Sequence, residues 1–217
     1  MSLTAQEILD AVARELNDSR ANPIAERTWK DDELLTFLNN GIRQIAVVRP
    51  DLAAKISTVQ LVPGALQKLP DDGMRLLTVT RNRGSSGTSD GKAISLAERQ
   101  SLDSSAPYWT ASRSMVVSNY VYDLRFGSMY YVYPGASDTT PVWIEIIYAA
   151  APRLALMSDV VSLTELCLMP LKHWVKFECL NPERFDNASP AEAKAYYDKF
   201  FNELGIKTTS DASLPVN

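Results

Sequence analysis

The apolar residues of this chain change their spacing twice, and that change limits the fold more than any single motif does. Ile8, Leu9, Val12 and Leu16, and then Leu34, Leu35, Leu38, Ile42 and Ile45, recur at the three-to-four-residue interval of a helix face. From Ile56 to Tyr148 the pattern becomes short apolar runs separated by turn residues, the habit of strands. Helical spacing then returns in Ala193, Tyr196, Tyr197, Phe200 and Leu204. Neither terminal group of helices can cover its own apolar stripes, so the two ends are expected to pack together. The fold class that follows is α+β, a helical bundle made from the N- and C-terminal helices with an inserted antiparallel β-sandwich or barrel-like region. The expected division places residues 1–55 and 150–206 in a discontinuous bundle, 56–149 in the β-rich insertion and 207–217 in a polar C-terminal tail.

Local signals sharpen the boundaries. Thr4 followed by Glu7 makes a capping box, which predicts a helix over Ala5–Asn17. Asp31, Asp32 and Glu33 put negative charge where a helix N-terminus favours it, and the second helix should end before Pro50. Strands are predicted at Ile56–Val62, Leu66–Leu69, Leu76–Asn82, Ala93–Leu96, Val116–Asp123, Met129–Tyr133 and Val142–Tyr148. Pro63-Gly64, Asp72-Gly73 and Pro134-Gly135 supply turn chemistry between them. Leu163–Leu180 is apolar on nearly every face, including Leu166, Met169, Trp174, Val175 and Phe177, and should be buried on several sides. Pro170 within it implies a kink or a fresh helix start. Ser189, Pro190 and Glu192 read as N-cap, first-turn proline and capping-box partner of the last helix, which Gly205 terminates.

Composition then excludes some functions. The 217 residues are 46% hydrophobic and 22% charged, with a formal charge of -4 and a pI near 5.1. Gripping nucleic acid by its phosphates requires a basic excess on some face, so that role is disfavoured. No apolar run approaches the roughly 20 residues that span a bilayer, and the start lacks a basic n-region and apolar core, so a protein kept in a cytosol without a membrane partner is expected. Cys167 and Cys179 fall in one predicted helical stretch, about 18 Å apart, too far for a disulfide. They read as reduced core residues.

Residues able to carry chemistry are sparse. The single histidine, His173, lies in the most apolar segment, where a structural role is expected over a catalytic one. A metal site from Cys167, His173 and Cys179 fails because each step of six residues turns about 240° and climbs about 9 Å along a helix. The segment Gly84–Lys92 resembles a phosphate loop only superficially. Ser86 stands where the glycine belongs and Ala93 where a hydroxyl belongs. Gly84–Gly91 reads as an exposed hairpin loop, and Arg81, Arg83 and Lys92 around it are solubilising charges, or else contacts for phosphate or an acidic partner. Asp71 and Asp72 lie between Pro70 and Gly73, the setting of a turn and not of paired catalytic acids. No catalytic residue, cofactor or metal site is expected. Tyr120, Tyr122, Tyr130, Tyr131, Tyr133 and Trp143 could form a stacking platform, although such residues are equally common on ordinary strands.

Several ordered segments carry a resemblance. LNNGIRQIAVVRPD at Leu38–Asp51, LVPGALQKLPDDG at Leu61–Gly73 and LLTVTRN at Leu76–Asn82 are followed by LDSSAPYW at Leu102–Trp109, YVYDLRFGSMYYVYP at Tyr120–Pro134 and AKAYYDKFFNELG at Ala193–Gly205. Together these resemble the head-to-tail adaptor (connector, neck) proteins of tailed bacteriophages, over most of the chain. The resemblance implies a non-enzymatic virion protein at the neck, assembled in the host bacterial cytoplasm. It further implies a homo-oligomeric ring of roughly twelve copies that docks beneath the portal protein and prolongs the DNA channel toward a tail tube or nozzle protein. DNA would pass without sequence-specific binding. In similar adaptors the bundle builds the ring, the β-rich part faces tail components and a C-terminal segment reaches the portal. Carried onto this chain, that segment is Lys207–Asn217, with Lys207 at its start and Leu214, Pro215 and Val216 as apolar anchors. Asp71, Asp72, Arg81, Arg83 and Lys92 would be exposed contacts of the β part. The competing reading is a tail or baseplate accessory that binds carbohydrate or another virion protein through the tyrosine-rich strands, with Trp109 or Trp143 in contact.

Overall fold

A computed structural model describes residues 3–18, 28–182 and 189–206. The chain divides into two compact units, one of Met1–Leu52 with Pro152–Asn217 and one of Ala53–Ala151.

In the first unit, α1 (Ala5–Glu15) begins with the expected reciprocal cap, Thr4 N donating to Glu7 Oε2 at 2.8 Å and Glu7 N to Thr4 Oγ1 at 3.3 Å. It ends two residues before the predicted Asn17, which adopts a positive φ of 57°. Helix α2 (Asp31–Val48) buries Leu34, Phe37, Leu38, Ile42 and Ile45. Its start is held by the Glu33 carboxylate, which accepts from Lys30 N at 2.9 Å. Helices α4 (Leu168–Cys179) and α5 (Pro190–Glu203) complete the bundle, and α4 packs against α1, α2 and α5 at once. The burial of α4 on several sides follows from that position.

Pro170 is the third residue of α4, within the first turn, where an N–H has no intrahelical partner to lose. Two members of the apolar segment depart from expectation, because Leu166 and Met169 are 74% and 48% exposed. Leu166 belongs to a 3-10 turn (Glu165–Cys167) ahead of the helix, which breaks the continuous helical face assumed from the sequence. At α5, Ser189 Oγ accepts from Glu192 N at 3.4 Å and Pro190 opens the helix, while the reciprocal half of the box expected of Glu192 is not formed. The loop entering α4 is tied to α2 through Asn39, whose Nδ2 donates to the Leu154 carbonyl at 3.0 Å and whose Oδ1 accepts from Leu154 N at 2.8 Å.

The second unit contains two open sheets. β1 (Ala54–Gln60), β8 (Trp143–Ala150) and β3 (Gly73–Asn82) form an antiparallel sheet in the order β1-β8-β3. β2 (Gly64–Lys68), β7 (Met129–Ala136), β6 (Asn119–Val121) and β4 (Ser95–Leu96) form the other, with β5 (Arg113–Ser114) added on β7. Residues of both sheets share one core, including Leu76, Val79, Tyr120, Tyr130, Val132, Ile144, Ile146 and Tyr148. This is the sandwich alternative, and neither sheet closes into a barrel. Two short pairs, β4 with β6 and β5 with β7, are parallel, against the wholly antiparallel expectation.

Local structure departs from expectation here, and the predicted strand Ala93–Leu96 contracts to β4. Pro134-Gly135 is no turn but the continuation of β7, with a cis Tyr133–Pro134 bond. Gly135 is needed there because a Cβ would lie 2.8 Å from the Gly64 carbonyl carbon and 2.9 Å from the Ser112 oxygen. The predicted strand Val116–Asp123 contracts to β6, since Val117 N is diverted to the side chain of Asn82 at 2.8 Å. A helix that the pattern did not announce, α3 (Arg99–Ser105), joins a 3-10 turn (Trp109–Ala111) over the other side of the five-stranded sheet. There Leu102 and Trp109 pack with Ala65, Val121, Tyr131 and Tyr133 in a second, smaller core.

Candidate assembly interface

The charged residues nominated on the β-rich unit differ in what they are free to do. Asp72 accepts from Lys55 Nζ at 2.8 Å and from Tyr148 OH at 2.9 Å, so it ties the start of β3 to both other strands of its sheet. Burial pulls its pKa up, but those two hydrogen bonds outweigh it and hold the carboxyl below its ordinary value. Its neighbour Asp71 is fully exposed and lies 3.5 Å from Lys68 Nζ. Arg83 is enclosed between Asp90, with which it forms an ion pair, and Glu145 at 3.8 Å. Arg81 approaches Asp90 at 3.6 Å and remains exposed, as does Lys92. Asp71, Arg81 and Lys92 therefore present charge outward, whereas Asp72 and Arg83 serve the unit internally.

The hairpin loop beside Arg81, Arg83 and Lys92 is anchored at its base. Asn82 is buried and its Nδ2 donates to the carbonyls of Lys92 and Val117, both at 2.8 Å. Gly87, at a φ of 78°, passes so close to Trp143 that a Cβ would stand 3.1 Å from the indole. That proximity explains why this glycine is useful, and it half-covers Trp143. Lys207, Leu214, Pro215 and Val216 lie outside the described residues.

The aromatic residues do not make an open stacking platform. Tyr120 and Tyr130 are inside the sandwich core. Trp109 is only 2% exposed, meets Tyr131 and Tyr133 edge-on at 5.6 and 6.3 Å, and donates through Nε1 to Asp103 at 2.7 Å. A sugar ring stacked on Trp109 would have to displace α3.

The large apolar side chains that do reach solvent are mostly aliphatic. Ile56 on β1 is 65% exposed, and Leu96, Leu124, Met115 and Tyr108 are also open in the same unit. Ile56 could have been found from strand parity. Ser57 and Val59 pair with the core residues Ile146 and Ile144, which turns Ile56 to the opposite face. In the helical unit Val47, Leu156, Val160, Leu166 and Met169 are exposed. Apolar side chains exposed singly like these are ordinary on a protein surface and do not by themselves mark an interface.

Most groups capable of chemistry are buried or already paired. His173 is buried between α4 and α5, stacked on Tyr196 with ring centroids 5.9 Å apart and with Nδ1 3.2 Å from Glu203 Oε2. Burial raises the pKa of both Cys167 and Cys179 and keeps them as thiols. A groove of about 470 Å³ beside β4 and α3 contains Glu98, Asp103 and Asp123. Asp123 accepts from Arg125 Nε at 3.0 Å and from Arg125 N at 2.9 Å, which pushes its pKa down to about 2. Asp103 is engaged by Trp109 and lies 3.6 Å from Arg99. A carboxylate so far below neutrality is a poor proton donor. Among the described residues no group of three or more His, Cys, Asp or Glu is placed to hold a metal ion, and no helix is long and apolar enough to cross a membrane.

No curated protein matches the chain closely. A family model does, that of the SU10 adaptor protein, and the match covers residues 3–217, hence both units, the turn at Asp71-Asp72, the hairpin loop and the C-terminal segment. The chain belongs to the SU10 adaptor protein family, and it is a structural, non-catalytic head-to-tail adaptor of the phage virion neck.

Proposed function

We propose that copies of this chain form a ring, of roughly twelve subunits with heterologous contacts, that docks beneath the portal and prolongs the DNA channel toward the tail. In this reading the helical unit builds the ring. The β-rich unit, with Asp71, Arg81 and Lys92 outward, faces a tail tube or nozzle protein, while Asp72 and Arg83 hold the surface that carries them. The segment Lys207–Asn217 reaches into the portal through Leu214, Pro215 and Val216, and assembly takes place in the host bacterial cytoplasm.

The observation that carries the proposal is the family match over residues 3–217, which includes that segment. Electrostatics agree with it. A passage that DNA must traverse should not hold phosphates, and the formal charge is -4. A polar segment that orders on docking suits a late assembly step, because it trades affinity for timing. Electron microscopy of the protein mixed with portal rings should show a second ring stacked on the first. Removal of Lys207–Asn217 should abolish the stacked ring without unfolding the protein. Portal rings that remain bare at saturating adaptor would refute the docking reading.

A further inference from the structure

Arg49 stands immediately after α2 and reaches the far end of the last helix, where its Nη1 donates to the Leu204 carbonyl. The rest of its guanidinium is held by Asp51, with Nε to Oδ1 at 2.9 Å and Nη2 to Oδ2 at 2.7 Å. The fork is therefore oriented before it meets α5. The end of α5 is closed by two further bonds. Gly205, at a φ of 73°, donates to the Asn202 carbonyl at 3.0 Å, and Ile206 N donates to the Phe201 carbonyl at 2.9 Å. This paired closure satisfies two of the orphan carbonyls of the helix end. The Leu204 carbonyl, beyond the reach of that closure, is the one Arg49 takes. Leu204, Gly205 and Ile206 are thus fixed by three bonds immediately before Lys207, and one of the three comes from a residue 155 positions earlier.

We propose that Arg49 is a positioning residue for portal docking, because it fixes Leu204–Ile206, the residues from which Lys207–Asn217 continues. The inference rests on the reading that this segment engages the portal. A helix end closed only by its own backbone is free to fray within its last turn, and each added exit direction dilutes the fraction of copies that present the segment correctly. In a ring, where several segments must enter one portal together, that loss multiplies. A cation near a helix C-terminus also stabilises the helix, so the positioning role has to be separated from simple stability. Lysine keeps the charge but lacks the planar fork, and Asp51→Asn keeps Arg49 while releasing its orientation.

The test measures binding of the full chain to portal rings for wild type, R49K, D51N and a variant lacking residues 207–217, alongside melting temperature and amide hydrogen exchange. R49K and D51N are expected to melt near wild type, to exchange faster at Gly205 and Ile206, and to dock on the order of tenfold more weakly, about 1.4 kcal/mol. Wild-type docking by both variants, while the truncated chain fails to dock, overturns the role of Arg49 and spares the segment. Wild-type docking by the truncated chain overturns the segment and Arg49 together. If R49K fails to fold, D51N decides alone, since it removes neither the cation nor the Leu204 contact partner.

Discussion

Gly41 of α2 is pressed against the indole of Trp174 on α4, so that a Cβ at position 41 would lie 2.9 Å from Trp174 Cδ1 and 3.1 Å from Leu171 Cδ2. The absent side chain lets the two helices approach at the centre of the bundle, where Leu38, Ile42 and Leu171 are all but inaccessible. Gly41→Ala brings two effects of opposite sign. Alanine improves helix propensity by about 1 kcal/mol. Overpacking against a ring that cannot swing away costs about 1–3 kcal/mol. The second should win, with a lower melting temperature in thermal unfolding. An unchanged or raised melting temperature would show that the interface has room to spare.

Asp72 should contribute stability on the acid side. Its carboxyl lies below the ordinary value of 3.8, since the bonds from Lys55 and Tyr148 outweigh burial. A group depressed in the fold stabilises it fully above the unfolded value and loses that contribution as pH falls through the folded one. The relevant window therefore begins near pH 4 and extends below it. Asp72→Asn should cost about 1–2 kcal/mol at neutral pH and flatten the melting profile between pH 5 and 3. Parallel profiles for variant and wild type would mean the pair contributes nothing beyond packing.

The features legible in the sequence share one property, that their partners are within a few residues. The Thr4–Glu7 box, the Ser189 cap and the stop at Gly205 are each completed inside one turn, and all three form. Pro134-Gly135 carried the same local information and was misleading. The reason it continues β7 is the close approach of Gly64 and Ser112, which are distant in sequence. Asp72 and Arg83 are similar cases, since their partners Tyr148 and Glu145 come from β8. Helix α3 escaped notice because Leu102 is its only buried residue, too little to make a period. Leu166 and Met169 stand in a segment that is apolar on nearly every face of a continuous helix, but the 3-10 turn at Glu165–Cys167 interrupts that helix and leaves both exposed.

Trp109 distinguishes a packing residue from a ligand platform. Its ring is covered, its edges face Tyr131 and Tyr133, and its indole N–H is used by Asp103. Trp109→Ala should destabilise the β-rich unit by about 3–5 kcal/mol in chemical denaturation. Trp109→Phe retains the edge contacts and leaves Asp103 without its donor, so it should cost less. If the alanine variant unfolds like wild type while a glycan array shows wild-type binding that it lacks, the carbohydrate reading returns.

His173 should make the helical unit sensitive to mild acid. Burial pushes its pKa below the ordinary 6.5, Glu203 at 3.2 Å opposes that shift, and Lys176 adds to it. Lys199 stands over the other partner of the imidazole, Tyr196, at 5.0 Å from the ring centre. Because the folded value is the lower one, the unfolded chain binds the proton first. Stability is then complete above about pH 6.5 and declines as pH falls from there through the folded value. The chain has a single histidine, so a side-chain titration in that range points to one residue. Melting temperature should fall from pH 7 to 5 in the wild type and stay nearly level over the same interval in His173→Gln. The same slope in both would mean that His173 takes up its proton equally in the folded and unfolded chain, and that the acid sensitivity lies with other groups.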